Sequence, residues 1–455
     1  MRERAPALRE SSPEGGFTTT KVAVVPVRPA GSAGSGVVGD GPDWLGCLWE
    51  VCGLLWPPPA VVRGEGGGLG WAHPGVVLRR WRRGRGVRAG GEFVLVPGIG
   101  RPPLVVPAAR RAGAAAVRRY SVQRSRAARW ALSGVSLALA GGLGGMVRCG
   151  RLWVSAPAGA DTIEAYLSSV MSCEVRVSLY LGPARANRKP VLQLLTGAGE
   201  TAGFAKIGIN ALTSGLVRAE RESLARLSRA GLSQITVPEV LHYGMWHGLD
   251  VLVLSALPTR LRGRPVPAAR LAAAMGELAG VGGLRREPLA GSGYLGQLWS
   301  RLAATGEGGE QAVLLRALEE LTARAGATVL TFGAWHGDWA PWNMASTGHG
   351  LVVWDWERFT RGVPLGFDAL HYWLQAEVGP GHRDPQPAAA GCPQRAPQLL
   401  APFGIAAAEA RLTAALYMTD LATRYLADRQ AQAGARLGDP GTWLIPAITS
   451  TIATL

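Results

Sequence analysis

Four side chains account for most of the chemistry legible in this chain: His336, Asp338 and Asn343 in one short stretch, and Asp355 twelve residues after Asn343. A carboxylate in a tight loop can accept a proton from a substrate hydroxyl. An amide five positions later can turn back toward a divalent cation, and a second aspartate at a strand end can bridge that cation to nucleotide phosphates. The apolar run Leu351, Val352, Val353, Trp354 reads as such a strand and delivers Asp355 at its end. Phosphoryl transfer asks little more of a protein than this positioning and charge neutralisation. A plain strand–turn–strand carrying surface acids is the alternative, and it leaves the partners upstream unexplained.

The first partner is a lysine. Lys21, Lys189 and Lys206 are the only lysines, whereas Lys and Arg together number 48. A chain that uses arginine almost everywhere keeps lysine where a compact point charge is needed, as between phosphate oxygens and a carboxylate. Lys206 lies in Gly203-Phe204-Ala205-Lys206-Ile207, a short apolar strand. The second partner is an acid on the following helix, predicted over 216–227 from apolar residues at helical spacing. That helix carries two acids in reach of the strand, Glu220 and Glu222.

Further elements must hold these groups in place. Residues 175–182 and 190–195 read as strands flanking a turn-rich segment from Gly182 to Lys189. Gly197 to Gly203 is glycine-rich but opens no helix, which predicts a hairpin turn. Residues 237–244 and 249–258 read as paired strands, the second stopped by Pro258. His242 and His247 fall near turns as structural or surface histidines. Helices are predicted at 267–278, 296–304, 311–326, 406–429 and 443–455, with a Pro-, Gly- and Ala-rich loop at 379–397.

The loop, the lysine strand and the acid helix, in this order, resemble the aminoglycoside phosphotransferase and choline kinase family. There the loop reads His-Gly-Asp-x-x-x-x-Asn and the metal aspartate stands in Asp-x-Glu, as Asp355-Trp356-Glu357 does here. Protein kinases would tend to show His-Arg-Asp, Asp-Phe-Gly and Ala-Pro-Glu, and this chain has none of the three. The resemblance implies an α+β, bilobal, protein-kinase-like fold: an N-lobe antiparallel sheet with one helix, then a mainly helical C-lobe. It implies ATP and Mg2+ as cofactors and a small-molecule hydroxyl as acceptor. Asp338 would deprotonate that hydroxyl, with His336 bracing the loop. Asn343 and Asp355 would hold magnesium, and Lys206 would grip the α- and β-phosphates, fixed by Glu220, which fits the family's Glu-x-x-x-Leu better than the reserve Glu222. Ser255 to Leu257 would face the adenine, and Gly182 would open the nucleotide-covering loop. That loop departs from a glycine-rich pattern, leaving Arg185, Arg188 or Lys189 to contribute charge. Asp368 would support the catalytic loop or cap the next helix.

The resemblance assigns residues 159–258 to the N-lobe and 259–455 to the C-lobe. Residues 1–90, rich in Gly, Pro, Arg and Trp without a sustained period, read as an unstructured extension. Residues 91–158 read as an extension packed on the kinase-like unit, with short strands near 92–97 and 104–107 and helices at 108–120 and 125–140. The net charge of +16 comes mainly from arginine. The run from Arg79 to Arg85 could meet nucleic acid or an anionic surface, but it lacks the interleaved aromatics of a specific nucleic-acid module. Trp130 to Val147 is too rich in Gly and Ser for a membrane span and reads as a buried helix and turn. Five scattered cysteines lack metal-ligand spacing and suit a reducing cytoplasm. Two other readings stand beside the phosphotransferase one: a catalytically weak kinase-like regulator, and a basic surface-binding module built on residues 79–129.

Overall fold

The computed structural model of the protein describes residues 44–65, 89–98, 101–121, 126–144, 149–258, 266–348, 350–379 and 384–455. The arginine run from Arg79 and residues 1–43 lie outside them. Part of the extension expected to lack structure is in fact folded. Helix α1 (Trp44–Leu55) and strand β1 (Val61–Glu65) fall within it. The missed signal is the spacing of Leu48, Val51, Cys52 and Leu55, all buried, which makes one helical stripe against Phe93, Leu152 and Leu167. Trp56 anchors the end of that stripe by donating to the half-buried Glu164 carboxylate at 2.6 Å.

Next come β2 (Ala89–Gly98), β3 (Arg101–Pro107), α2 (Arg110–Ser121), α3 (Arg126–Ala140) and β4 (Gly150–Ser155). The lobe that follows runs α4 (Ile163–Val170), β5 (Arg176–Tyr180), β6 (Val191–Leu195), β7 (Thr201–Gly208), α5 (Ala211–Leu227), β8 (Ile235–Thr236), β9 (Val240–Trp246) and β10 (Leu249–Ser255). Nine strands make one sheet, in the order β1-β4-β2-β3-β5-β6-β7-β10-β9, and every pairing in it is antiparallel. The extension therefore does more than pack on the N-lobe. Its strand β3 pairs with β5 through Leu104↔Tyr180 and Val105↔Leu179. Alternating side chains divide the sheet faces: Val94, Val96, Leu104 and Val106 meet α2 and α3, while Phe93, Leu95 and Val105 meet α1 and α4.

The second half is mainly helical. It comprises α6 (Ala268–Ala279), β11 (Arg285–Pro288), α7 (Gly293–Ala303), α8 (Gly309–Ala325), β12 (Val329–Trp335), β13 (Met344–Ser346), β14 (Leu351–Val353), β15 (Thr360–Pro364), α9 (Phe367–Val378), α10 (Gln386–Leu400), α11 (Ala407–Ala427) and α12 (Leu444–Ala453). Its core gathers Leu298, Leu314, Leu318, Phe367, Leu374, Tyr417 and Ile448, all essentially buried. The expected kinase-like α+β architecture, sheet first and helices after, is thus present, but residues 159–258 hold two helices, α4 and α5, where one was expected. Two small sheets, β11-β12-β15 and β13-β14-β8, lie within or reach this half.

One predicted loop is wrong. Residues 386–400 are helix α10, with Pro393 and Pro397 inside it. Proline removes a helical donor, which is why the composition argues for a loop. Buried Ala389, Cys392, Ala396 and Leu400 nevertheless recur at helical spacing, and packing that stripe on α9 and α11 outweighs the lost bonds. Among the described residues no single helix is long and apolar enough to cross a membrane.

Candidate active site

The loop from His336 to Asn343 joins β12 to the short hairpin β13–β14, whose far end delivers Asp355. Its backbone is bent hard. Gly337 sits at φ 83°, and a Cβ there would lie 2.3 Å from the carbonyl oxygen of Arg358. Asp355 is itself left-handed at φ 73°, uncommon for a residue other than glycine. That turn sends the chain directly into the 3-10 turn Trp356–Arg358.

Asp338 is held through both carboxylate oxygens. His371 Nε2 lies 3.0 Å from Oδ1, and the Asn343 amide donates to Oδ2 at 3.0 Å and to the Asp338 carbonyl at 2.9 Å. Tyr417 OH sits 2.9 Å from His371 Nδ1. If the Tyr417 hydroxyl donates to Nδ1, Nε2 carries the ring proton and points it at the aspartate. Burial alone would raise the Asp338 pKa, but the His371 hydrogen bond and the nearby His371 and Arg424 hold it below the ordinary value. Asp338 is therefore an ionised acceptor at neutral pH. Its side chain remains about 29% exposed, so a small molecule can reach it.

His336 is fully buried and spans the loop. Its Nδ1 accepts from the Asp338 backbone N–H at 3.1 Å and its Nε2 faces the Trp354 carbonyl at 3.1 Å. Burial pushes its pKa down to about 4, so it is a neutral brace and not a charge carrier. Asp368 completes the bracing by accepting from the His336 N–H at 2.8 Å and the Gly337 N–H at 3.3 Å. Helix α9 is headed by Gly366 without a side-chain cap, so Asp368 serves the loop and not the helix end. Burial raises the Asp368 carboxyl to about 7 against those two donors. Arg424 from α11 adds a bond to the Gly337 carbonyl at 2.5 Å.

The second cluster centres on Lys206 of β7. Its ammonium lies 2.6 Å from both Glu220 oxygens and 2.6 Å from Asp355 Oδ1. Three separate elements (β7, α5 and the end of β14) thus meet on one cation. Burial alone would lower Lys206, but Asp355, Glu220 and Glu357 outweigh it and hold it above its ordinary value. Burial raises Glu220, and Lys206 opposes that rise. Burial would also raise Asp355, yet Lys206 and Lys189 drive it well below the usual carboxylate range. Glu220 also accepts from the Trp356 N–H at 3.2 Å, whereas Glu222 is exposed.

Carboxylate oxygens of Glu220, Asp355 and Glu357 lie within 4.8 Å of one another, a donor set suited to a hard divalent cation. Asn343 uses its amide nitrogen inside the loop, so the oxygen is the atom it can offer such a cation.

The remaining sequence candidates stand apart from these two clusters. Ser255 closes β10 with both its amide and its hydroxyl engaged by Glu239, so that amide is not on offer to a base; Leu257 is buried just beyond. Gly182 opens the β5–β6 loop, and a Cβ there would meet nothing, so the fold does not require glycine. Arg185 is exposed and Arg188 half-buried in the same loop. Gly197 to Gly203 forms the β6–β7 turn and its entry, with Gly199 at φ 86°. His371, Tyr417 and Arg424 were not singled out from the sequence. They come from α9 and α11, whose register on the loop no local pattern encodes.

Residues 209–403 match the model of the phosphotransferase enzyme family. That stretch holds Glu220, the His336–Asn343 loop, Asp355 and Asp368, and the resemblance read from the sequence is shown over it. None of the curated proteins compared with the chain matches it. Among solved structures, a thermostable mutant of aminoglycoside phosphotransferase APH(4)-Ia in complex with AMP-PNP and hygromycin B is 14% identical. The match covers 65% of this chain and 99% of that one, with a TM-score of 0.45. A putative fructosamine-3-kinase from Thermobifida fusca YX-ER1 is 18% identical over 65% and 100%, with a TM-score of 0.41. A choline/ethanolamine kinase family protein from Mesorhizobium loti is 16% identical over 60% and 92%, with a TM-score of 0.33.

Proposed function

We propose that the protein is a small-molecule phosphotransferase that moves the γ-phosphoryl group of ATP to a hydroxyl. The observation that carries this reading is the convergence of Glu220 and Asp355 on the Lys206 ammonium, beside a loop that presents an ionised, reachable Asp338. Asp338 takes the hydroxyl proton while His371 and Asn343 fix its two oxygens in direction. Lys206, held by Glu220, would contact the α- and β-phosphates once Asp355 gives up part of its hold on the ammonium to a divalent cation. Asn343 and Asp355 would hold magnesium, which supplies charge neutralisation on the β- and γ-phosphate oxygens when bound. His336 and Asp368 keep the loop from relaxing, and most of the rate enhancement rests on this preorganisation.

The acceptor is a hydroxyl compound small enough to reach Asp338. A sugar, an amino alcohol or a cell-envelope intermediate is compatible with these residues.

A kinase-like nucleotide binder with little turnover is the second reading. It is favoured by the glycine-poor β5–β6 loop, whose Lys189 is buried in an ion pair with Glu357. Magnesium-dependent ATP binding and slow ATP hydrolysis by the full chain, with Asp338→Ala and Asp355→Asn in parallel, separate the two. Binding and turnover lost on Asp355→Asn support the phosphotransferase. Binding without turnover supports the regulator, and a folded chain that binds no ATP refutes both.

A further inference from the structure

We infer that Lys189 is the phosphate-binding cation of the β5–β6 loop, parked on Glu357 until a nucleoside di- or triphosphate takes its ammonium over. The inference rests on the nucleotide-binding reading above and assigns a part of that site which no glycine-rich cradle fills.

Residues 182–190 read Gly-Pro-Ala-Arg-Ala-Asn-Arg-Lys-Pro, so the loop lacks the run of glycines that lets backbone amides wrap a phosphate. What it offers instead is Lys189 at its base, 8% exposed and ion-paired with Glu357, itself 6% exposed. Glu357 stands two residues after Asp355, which holds Lys206. Two of the three lysines in an arginine-rich chain thus end on the two acids of one Asp-x-Glu. Arginine is the usual choice for a permanent buried ion pair. A lysine ammonium on a flexible stem is better suited to changing partners.

The loop is already drawn over the site. The Ala186 N–H donates to Gln430 Oε1 at 3.2 Å, and Gln430 Nε2 reaches Asn187 Oδ1 and Asp428 Oδ2, each at 3.4 Å. Asn187 donates to Glu357 Oε1 at 3.4 Å, and Asp428 pairs with Arg358. This network ties the loop of the first lobe to the turn after α11 in the second. Lys189 consequently does not have to be recruited from solvent.

The charge balance fits a handover. Lys189 and Lys206 face Glu220, Asp355 and Glu357, two positive groups against three negative. A magnesium–polyphosphate entering this cluster brings its own cation for the carboxylates, which frees an ammonium for the phosphates.

The test is direct binding of ADP, AMP and adenosine to the full chain with magnesium, measured by calorimetry. Lys189→Met alone leaves Glu357 buried without its cation and can misfold. The double variant Lys189→Met/Glu357→Gln removes both charges together and keeps the volume. Relative to Glu357→Gln alone, which carries any loss of a cation donor, ADP affinity in that variant is expected to fall about ten- to a hundredfold, the loss of one charge-assisted hydrogen bond, while adenosine affinity stays within about twofold. Lys189→Arg restores part of the ADP affinity. Equal weakening of ADP and adenosine, or no change in either, overturns the inference and leaves Lys189 as a loop pin. A wild-type chain that binds no ADP overturns the proposed function as well, so the two failures are told apart.

Discussion

Replacing Lys206 by methionine tests the cluster most directly, because the structure fixes both the sign and the ranking of the effect. In the intact protein two ammonium groups face three carboxylates. Lys206→Met leaves Lys189 alone against Glu220, Asp355 and Glu357, with Glu220 fully buried. Removing one partner from a buried ionic group costs about 3–5 kcal/mol, which at about 2 °C per kcal/mol for a large chain lowers Tm by about 6–10 °C. Glu220→Gln takes away a negative charge instead, and Lys206 keeps Asp355 at 2.6 Å. Its cost is about 1–2 kcal/mol, the scale of the hydrogen bonds it disturbs. Magnesium sharpens the contrast. Without Lys206 between them, three carboxylate oxygens within 4.8 Å form an anionic nest, and the cation at a hundred times its Kd returns about 2.7 kcal/mol. Thermal and urea unfolding of wild type, Lys206→Met and Glu220→Gln, each with and without magnesium, read all of this. If Glu220→Gln is the more damaging variant, or magnesium stabilises Lys206→Met no more than wild type, the charge argument fails.

The remaining expectations follow from the loop. Asp338→Asn should reduce phosphoryl transfer by about 10²–10⁴-fold with ADP affinity unchanged; a retained rate in steady-state assays would remove Asp338 from its role as base. Gly337→Ala forces a Cβ to within 2.3 Å of the Arg358 carbonyl at φ 83°, and should cost about 2 kcal/mol or more in urea unfolding. Stability should also fall in acid. The folded pKa of His336, about 4, lies below the unfolded value near 6.5. Its contribution is therefore complete above pH ~6.5 and is lost as pH falls toward 4, amounting to about 3 kcal/mol. Buried His371, also lowered, acts in the same sense. Asp368, raised to about 7, acts in the opposite sense: its contribution is greatest below pH ~3.9 and fades as pH rises through 7. Unfolding measured from pH 8 to pH 4 should show a shallower acid limb in His336→Gln than in wild type, and equal slopes would contradict the assignment.

Much of the site was legible because its residues are spaced by local structure. Asp338 and Asn343 share one loop, Asp355 ends one strand, and Lys206 and Glu220 sit on a strand and the helix directly after it. Such short-range order survives in a one-dimensional pattern. The choice of Glu220 over Glu222 came from the Glu-x-x-x-Leu pattern of the resembled family, and the structure puts Glu220 on Lys206 and Glu222 in solvent. What the pattern could not supply was the support from a distance. His371, Tyr417, Arg424 and Gln430 reach the site because α9 and α11 pack at a particular register, set by a core that includes Phe367, Leu374 and Leu421. Composition misled where packing overruled it. The Gly- and Pro-rich setting hid the apolar stripe of α1, and two prolines hid that of α10. Fold class followed from element order; the length of the sheet did not, since pairing of β3 with β5 is a choice between strands far apart in the chain.

The two-rung seam between β3 and β5 ties the kinase-like unit to what precedes it. A chain begun at residue 159 would present β5 as a bare strand edge, a template for pairing with other molecules. Beginning at residue 91 removes α1 and β1 and strips β4 of a neighbour paired from Val61↔Ser155 to Glu65↔Arg151. During synthesis, β1 leaves the ribosome well before β4 exists to receive it, and β3 before β5. The early strands must wait exposed, so the slow, non-local steps of folding fall at the front of the chain while the site assembles last.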